Sequence, residues 1–206
     1  ALEITPSDTG ILRTRTSVLG DIVSSQPVYV GAPDAKLYEN ADFTGASSHA
    51  SFAAAQANRT PVIYVGANDG MLHGFNANTG EELFAFIPNA AIMNGIADIA
   101  DPEYTHKYFV DGELTVADVF TNATGWRTVL IGTMGRSTTP GIFALDVTDP
   151  ANITFLWEKS RADISALGQN LGKPLIVKLG NNNWKVLLGN GFNSTGGTAQ
   201  LLMIDV

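Results

Sequence analysis

The chain has 206 residues, of which 45% are hydrophobic and only 16% charged, so it can bury enough apolar surface to fold and is not of the disordered class. Its formal net charge of −8, with the 12 Lys and Arg residues scattered, argues against a nucleic-acid partner, because such binding depends on basic side chains that neutralise phosphates. The lack of cysteine excludes disulfides, thiolate metal sites and a cysteine nucleophile, and no apolar run approaches the roughly 18 residues of a membrane helix.

The first part of the chain carries few structural signals. It begins at Ala1 with neither a basic segment nor an apolar one that would mark a signal peptide, so we expect any export signal to have been removed or to lie outside these residues. Residues 22–30 form a first strand candidate. Residues 51–57, rich in Ala and containing Phe52, predict a short helix.

A hairpin pattern follows. Residues 62–66 form an apolar strand that ends in Gly, a polar turn through Gly70 comes next, and residues 71–76 form a second strand. Gly and Asn tolerate the positive φ of tight turns, so the pattern predicts a β-hairpin. Another strand candidate, residues 82–87, comes after it. Between Pro88 and Pro102, isoleucines recur at i, i+4 and i+7 as in a short amphipathic helix, namely Ile92, Ile96 and Ile99.

The hairpin pattern recurs twice more along the chain. In the second copy the strands are residues 128–132 and 142–146, preceded by residues 114–120 and followed by residues 153–157. In the third copy the strands are residues 185–189 and 201–205, preceded by residues 174–179. Four strands in sequence are the content of a propeller blade, and internal repeats of this kind are typical of propellers.

The strands before each repeated Gly are apolar on both alternating faces. A β-sandwich strand with one face in water would alternate, and a parallel α/β sheet would need a helix for each crossover, which the chain lacks. Stacked blades bury both faces. The sequence therefore predicts an all-β fold, a β-propeller segment of about three four-stranded antiparallel blades, with the short helical insertions on its surface.

Residues 59–75, with the sequence RTPVIYVGANDGMLHGF, resemble the C-terminal propeller of the PilY/PilC family of type IV pilus tip-associated proteins. Further similar segments follow the family order and extend the resemblance over residues 19–206; they are residues 19–31, 104–112, 141–150 and 189–194. The resemblance implies an N-terminal lead-in at residues 1–18 and a partial β-propeller at residues 19–206, with about three blades, the last one incomplete.

The resemblance also implies a function without catalysis. The family acts in pilus assembly, surface adhesion and twitching motility, in the bacterial cell envelope or outside the cell. The implied partners are pilus subunits or minor pilins and a host or abiotic surface. The resemblance also implies a calcium-binding, Asp-rich loop in the parent protein beyond Val206, and no such loop is found among residues 1–206.

No catalytic, cofactor-binding or metal-binding residue is predicted in this segment. His49, His73 and His106 form no recognised metal pattern, so we interpret them as structural side chains that hydrogen-bond backbone across turns. The chain contains neither a Gly-x-Ser-x-Gly elbow nor a Gly-Lys-Ser or Gly-Lys-Thr phosphate loop.

Two further features have competing interpretations. The oxygen-rich residues 68–70 and 181–183 are interpreted as turns rather than calcium ligands. Trp126 and Trp184 are interpreted as packing residues between blades rather than as a platform for a carbohydrate or a quinone.

The alternative function is that of a pyrroloquinoline-quinone-dependent dehydrogenase-type propeller, because residues 78–82 resemble the blade-docking turns of those enzymes. Such an enzyme needs a quinone site with calcium, and the chain has neither an adjacent Cys pair nor an evident acidic cluster for it. We therefore prefer the pilus function. Since three repeats are fewer than the roughly four to eight blades of a closed propeller, we also expect the terminal blades to expose apolar faces.

Overall fold

The computed structural model describes residues 12–180 and 183–206, and these residues are mostly β-structure. The strands of the first sheet are β1 (Val28–Val30), β2 (Val62–Gly66), β3 (Leu72–Asn76) and β4 (Glu82–Phe86). Those of the second are β5 (Leu114–Thr121), β6 (Gly125–Thr133), β7 (Gly141–Asp146) and β8 (Thr154–Ser160). Those of the third are β9 (Leu175–Leu179), β10 (Asn183–Gly189) and β11 (Leu201–Asp205). The helices are α1 (His49–Ala55) and α2 (Asn89–Met93), with short 3₁₀ helices at Ala46–Ser48 and Ile96–Ala100.

Each sheet is antiparallel and is built from strands that are consecutive in the chain. We call the three sheets blades 1, 2 and 3. The first strands of the blades contact one another, β1 against β5 and β5 against β9, so they lie innermost, and β4 and β8 lie outermost. Blades 1 and 2 have four strands each, and blade 3 has three within the described residues. This radial stacking of meandering sheets is the architecture of a propeller.

Strand β6 shows why these strands are apolar on both faces. Leu130 points into a core shared by blades 1 and 2, where it is fully buried with Tyr64 and Phe143. Its neighbours Val129 and Ile131 point the other way, into a second core between blades 2 and 3. Because side chains alternate along a strand, a strand between two blades must be apolar at every position.

Two of the repeated glycines are fixed by close packing. A Cβ on Gly66 would lie 2.3 Å from the carbonyl oxygen of Val110, and a Cβ on Gly132 would lie 2.3 Å from the Phe143 ring. A larger residue at either place would push two blades or two strands apart. Gly189 has no atom within 4 Å of such a Cβ, so the third repeat does not share this constraint.

The first strand is shorter than the predicted residues 22–30, since only Val28–Val30 pairs with β2. Pro27 has no N–H to donate to a ladder. The preceding backbone makes other contacts: the Ser24 N–H donates to Asp111 Oδ1 at 2.9 Å, and Ser25 Oγ accepts the Gly66 N–H at 2.9 Å. This segment therefore joins β1 to neighbouring loops instead of extending the strand.

The insertion between β1 and β2, residues 31–61, packs into the propeller, which corrects the expectation that it lies on the surface. Its helix is found at His49–Ala55, two residues earlier than predicted, and His49 is buried with its ring centroid 4.5 Å from that of Trp126. The Trp126 indole N–H donates to the Gly45 carbonyl at 2.9 Å. Aromatic side chains of the insertion thus form part of the core between blades 2 and 3.

The prediction of a single helix between Pro88 and Pro102 is wrong. The structure has α2 and then a separate 3₁₀ turn, divided at Gly95, whose φ of 80° lies in the left-handed region that ends a helix. The first two backbone N–H groups of α2, at Asn89 and Ala90, donate to the Glu158 carboxylate on β8 at 2.8 and 2.7 Å. This contact fixes the second insertion to blade 2.

The outward face of blade 3 is apolar and exposed, as expected for a terminal blade. Four apolar side chains on this face are between 40% and 73% exposed; they are Leu175, Leu179, Leu201 and Met203. The opposite face, with Trp184, Val186 and Ile204, is buried against blade 2.

We expect the isolated chain to self-associate through this outward face, because exposed apolar faces and open edge strands favour pairing with a second copy. The double variant Leu201→Lys, Met203→Lys should shift the sedimentation of concentrated protein toward the monomer. Leu37→Lys, which alters an exposed side chain in the insertion, serves as the control. Equal association of the double variant and the unmodified chain would contradict this expectation.

Two phenols, the buried Tyr64 and the partly buried Tyr38, should titrate late. Burial raises the pKa of Tyr64 to about 12, and burial together with the negative charge of Asp118 raises the pKa of Tyr38 to about 12. The folded chain resists forming these phenolates, whereas the unfolded chain forms them near 10, so the free energy of unfolding should fall as the pH rises above about 10. Absorbance at the phenolate band should show a late phase that denaturant abolishes, and its absence would contradict the burial of these two rings.

Candidate functional site

Three segments enclose a polar cleft of about 230 Å³ at one end of blade 1. They are residues 12–21, the β2–β3 turn, and the loop before β5. Residues 12–21 include the end of the predicted lead-in and the first residues of the predicted propeller, and we call them the lead-in segment from here on. The polar and aromatic side chains that line the cleft include Arg13, Arg15, Asp21, Asn68, Tyr104 and His106.

Asn68, in the β2–β3 turn, joins all three segments. Its backbone N–H donates to the Asp21 carbonyl at 3.0 Å, and its side-chain amide donates to Asp21 Oδ2 at 2.8 Å. Its side-chain oxygen accepts the backbone N–H of Phe109 at 3.0 Å. The turn itself closes at Gly70, whose φ of 95° permits the tight connection.

The neighbouring carboxylate, Asp69, is buried and accepts hydrogen bonds from three directions. Its oxygens accept hydrogen bonds from the Gly20 N–H at 2.7 Å and from the Met71 N–H at 3.1 Å. They also lie 3.1 Å from His73 Nε2. A Cβ on Gly20 would lie 2.2 Å from the Asp69 nitrogen, so only Gly allows the lead-in segment to approach this closely. Both turn residues, Asn68 and Asp69, therefore act as structural connectors.

His73, on β3, lies between two carboxylates. Its Nε2 faces Asp69, and its Nδ1 lies 2.5 Å from Glu82 Oε1 on β4. Burial alone would lower the pKa of His73, but the hydrogen bonds and negative charges of Asp69 and Glu82 outweigh it and raise the pKa above its ordinary value. The imidazolium form can donate to both carboxylates at once.

His106 makes a second contact of this kind at the surface of the cleft. Its Nε2 lies 3.0 Å from Asp21 Oδ1, and its ring packs edge-on against Tyr108 with centroids 5.0 Å apart. Burial acts to raise the pKa of Asp21, but hydrogen bonds from Asn68 and His106 lower it below its ordinary value.

The basic residues of the lead-in segment also line the cleft. The Arg13 guanidinium stacks on the Tyr104 ring 4.5 Å from its centroid, and the Arg13 backbone N–H donates to the Ala100 carbonyl at 2.8 Å. Arg15 donates from its side chain to the Val18 carbonyl at 2.7 Å. The cleft thus combines guanidinium groups, hydroxyls and one carboxylate, a mixture that suits polar contacts with another macromolecule.

A separate buried network lies between the insertion and blade 2. Asp118 on β5 accepts from Thr128 Oγ1 at 2.8 Å and contacts His49 Nε2 at 2.8 Å. Arg59 donates to Thr128 Oγ1 at 2.8 Å and to the Gly31 carbonyl at 2.6 Å. His49 and Arg59 thereby link residues 31–61 to the second blade.

The expected backbone partners of the histidines are wrong, because His49, His73 and His106 all contact carboxylates. Sequence reasoning overlooked the spacing of Asp69 and His73, four residues apart across a turn. That spacing was the available signal for the histidine–carboxylate cluster.

The two other predicted features are also located. Trp126 and Trp184 are buried in the core between blades 2 and 3, with ring centroids 6.4 Å apart, as blade packing predicts. Asn181 and Asn182 lie outside the described residues, and Asn183 begins β10. Across residues 12–180 and 183–206, no group of three or more His, Asp or Glu side chains is arranged to hold a metal ion. In the same ranges, none of the helices has the length and apolar character needed to span a bilayer.

Comparison with known proteins accounts for this architecture. Residues 19–206 match the family model described as the PilY1 beta-propeller domain. A type IV pilus biogenesis factor PilY1 homolog of Xylella fastidiosa is 58% identical over 96% of this chain, and type IV pilus biogenesis factor PilY1 of Pseudomonas aeruginosa is 44% identical over 94% of it. The chain spans only 16% and 17% of the lengths of these two relatives.

A solved structure shows the same fold. The crystal structure of the Pseudomonas aeruginosa PilY1 C-terminal domain aligns with a TM-score of 0.62 and 46% sequence identity, covering 77% of this chain and 30% of that one. The predicted β-propeller fold and the resemblance to the PilY/PilC family are thereby confirmed. The chain belongs to the family of PilY1 β-propeller domains of type IV pilus biogenesis factors.

Proposed function

We propose that this chain is a non-catalytic binding and assembly module of a type IV pilus-associated protein, acting in pilus assembly, surface adhesion and twitching motility. The observation that carries the proposal is the family match over residues 19–206 together with relatives named as pilus biogenesis factors. Its partners are pilus subunits or minor pilins and a host or abiotic surface. Its location is the cell envelope or the pilus outside the cell.

The geometry of the polar groups supports a binding role. Asp69, His73 and Asp118 are buried and hold segments together through hydrogen bonds, which makes them connectors within the fold. The exposed polar groups, by contrast, line an open cleft. Residues 78–82, the basis of the dehydrogenase alternative, span the β3–β4 turn and the first residue of β4, and the Gly80 N–H donates to the Asn76 carbonyl at 2.8 Å.

A genetic experiment tests the proposal. In the source bacterium, an in-frame deletion of residues 19–206 should reduce the number of surface pili, the twitching zone and attachment, while the complemented strain restores all three. Detection of the shortened parent protein is needed to show that it accumulates. Unchanged piliation, twitching and attachment in a strain that produces the shortened protein would refute the proposal.

A biochemical experiment separates the binding module from the enzyme alternative. Purified protein mixed with pyrroloquinoline quinone and calcium is expected to show neither stoichiometric quinone binding nor dye reduction with alcohol or sugar substrates. Tight stoichiometric binding with dye reduction would overturn the non-catalytic assignment.

A further inference from the structure

Two of the three histidines of the chain converge on the same point of the lead-in segment. His106 contacts the Asp21 carboxylate directly, at 3.0 Å. His73 contacts Asp69, which accepts the backbone N–H of the adjacent Gly20 at 2.7 Å. Both imidazoles therefore contribute to the contact between the lead-in segment and blade 1. His106 does so directly, and His73 does so through the Asp69 carboxylate.

The charged groups around each imidazole are of opposite sign to an imidazolium. His73 faces Asp69 from the β2–β3 turn and Glu82 from β4, and its ring stacks on the uncharged Phe75 at 5.8 Å. His106 faces Asp21 and the ring of Tyr108.

The arginine and lysine side chains near the cleft contact groups other than Asp21 and Asp69. Arg13 lies on the Tyr104 ring, Arg15 donates to the Val18 carbonyl, and Lys107 pairs with Asp98 at 2.6 Å. His106 and His73 are therefore the basic side chains that contact the Asp21 and Asp69 carboxylates among the described residues.

Protonation changes this contact strongly at His73. The Asp69 side chain is 1% exposed, so it cannot turn to water when its partner loses a proton, whereas Glu82 is about half exposed and can. A neutral imidazole leaves Asp69 as a buried anion without a neighbouring cation, which destabilises the packed arrangement in which Asp69 accepts the Gly20 N–H. Because folding raises the pKa of His73, the stabilising contact is present at acidic pH and is lost as the pH rises through that raised pKa.

We propose that His73, acting through Asp69, forms a pH-sensitive latch that holds the lead-in segment on blade 1, closed when its imidazole is protonated and loosened when it is neutral. His106 adds a direct contact with Asp21 to the same latch. The lead-in segment encloses the polar cleft, so the latch also governs whether the cleft exists. The proposal does not depend on the pilus function.

Blade 3 supplies an internal control. There the loop before β9 meets the β10–β11 turn through the Gly168 N–H, which donates to the Asn190 carbonyl at 2.8 Å. This contact occupies the same place in its blade as the Gly20 contact does in blade 1. Its acceptor is a backbone carbonyl, so its strength should not follow the protonation of a histidine.

Hydrogen exchange of single amides tests the latch. Protection of the Gly20 and Asn68 amides, corrected for the intrinsic effect of pH, should fall between about pH 5.5 and about pH 8.5, the range in which histidines lose their charge. The fall should be on the order of tenfold for each unit by which folding raises the pKa of His73. Protection at Gly168 should stay constant over the same range.

Variants assign the effect to the two side chains. In the double variant His73→Gln, His106→Gln, protection at Gly20 should be low at both pH values, and the pH dependence should disappear. Asp21→Asn alters a half-exposed side chain that contacts His106 and Asn68 but leaves His73 and Asp69 in place, so it should retain part of the dependence if the double variant fails to fold. Constant protection at Gly20 in the unmodified protein, or an undiminished pH dependence in the double variant, would overturn the proposal.

Discussion

Replacement of Trp126 by Ala is expected to lower the free energy of unfolding by about 3–5 kcal/mol, the usual cost of deleting a large buried aromatic side chain. Trp126 is 8% exposed and contacts rings from three parts of the chain. Its centroid lies 5.0 Å from that of Tyr38 in the insertion, 5.4 Å from Phe120 on β5 and 6.4 Å from Trp184 on β10. The variant also removes the hydrogen bond that the indole N–H donates to the Gly45 carbonyl, and this loss should loosen residues 31–61.

Urea unfolding followed by circular dichroism measures this effect without relying on the fluorescence that the substitution removes. Phe155→Ala on β8 is a suitable control, because that ring is 52% exposed and should cost about 1 kcal/mol or less. A loss below about 1 kcal/mol for Trp126→Ala would show that the insertion and the two blades do not share this core.

Replacement of Gly112 by Ala is expected to cost about 3 kcal/mol, at the upper end of overpacking effects. The new Cβ would lie 2.0 Å from Thr133 Oγ1 and 2.2 Å from the Thr133 carbonyl oxygen, and Thr133 is fully buried at the end of β6. A rotamer change could move the hydroxyl but not the carbonyl, so β5 and β6 would have to shift apart.

Gly172→Ala is a matched control, because Gly172 lies shortly before β9 as Gly112 lies shortly before β5. A Cβ on Gly172 would have no atom within 4 Å. Ala there should be neutral or stabilising by about 0.5 kcal/mol through a less flexible unfolded chain. Thermal unfolding of the two variants compares them directly. Similar melting temperatures for both would contradict the close approach of Gly112 to Thr133.

The strands were predictable because their signals are local. An apolar run on both faces, a terminal Gly and a turn of Gly and Asn identify the β2–β3, β6–β7 and β10–β11 hairpins to within a few residues. The helices were placed less well. The isoleucine spacing between Pro88 and Pro102 is helical, but Gly95 adopts a left-handed φ that a spacing pattern does not reveal.

The cleft and its histidines could not be predicted in the same way. Gly20 and Asp69 lie 49 positions apart in the chain, and Asp21 and His106 lie 85 apart. Such pairs meet only when the lead-in segment folds back over the end of blade 1. Only Asp69 and His73, four residues apart, carried a local signal, and it becomes meaningful once Glu82 is brought beside them by the pairing of β3 with β4.

The insertion of residues 31–61 gives the chain a mechanical property that its blade order alone would not. It leaves blade 1 after β1, and its Phe43 ring lies 6.1 Å from both Trp126 on blade 2 and Trp184 on blade 3, with the Lys178 ammonium of β9 4.3 Å above it. A tensile load that peels blade 1 away must therefore also extract these rings from between the next two blades. Unfolding under force must therefore disrupt all three blades together. We expect the three blades to unfold in one large step and not one blade at a time.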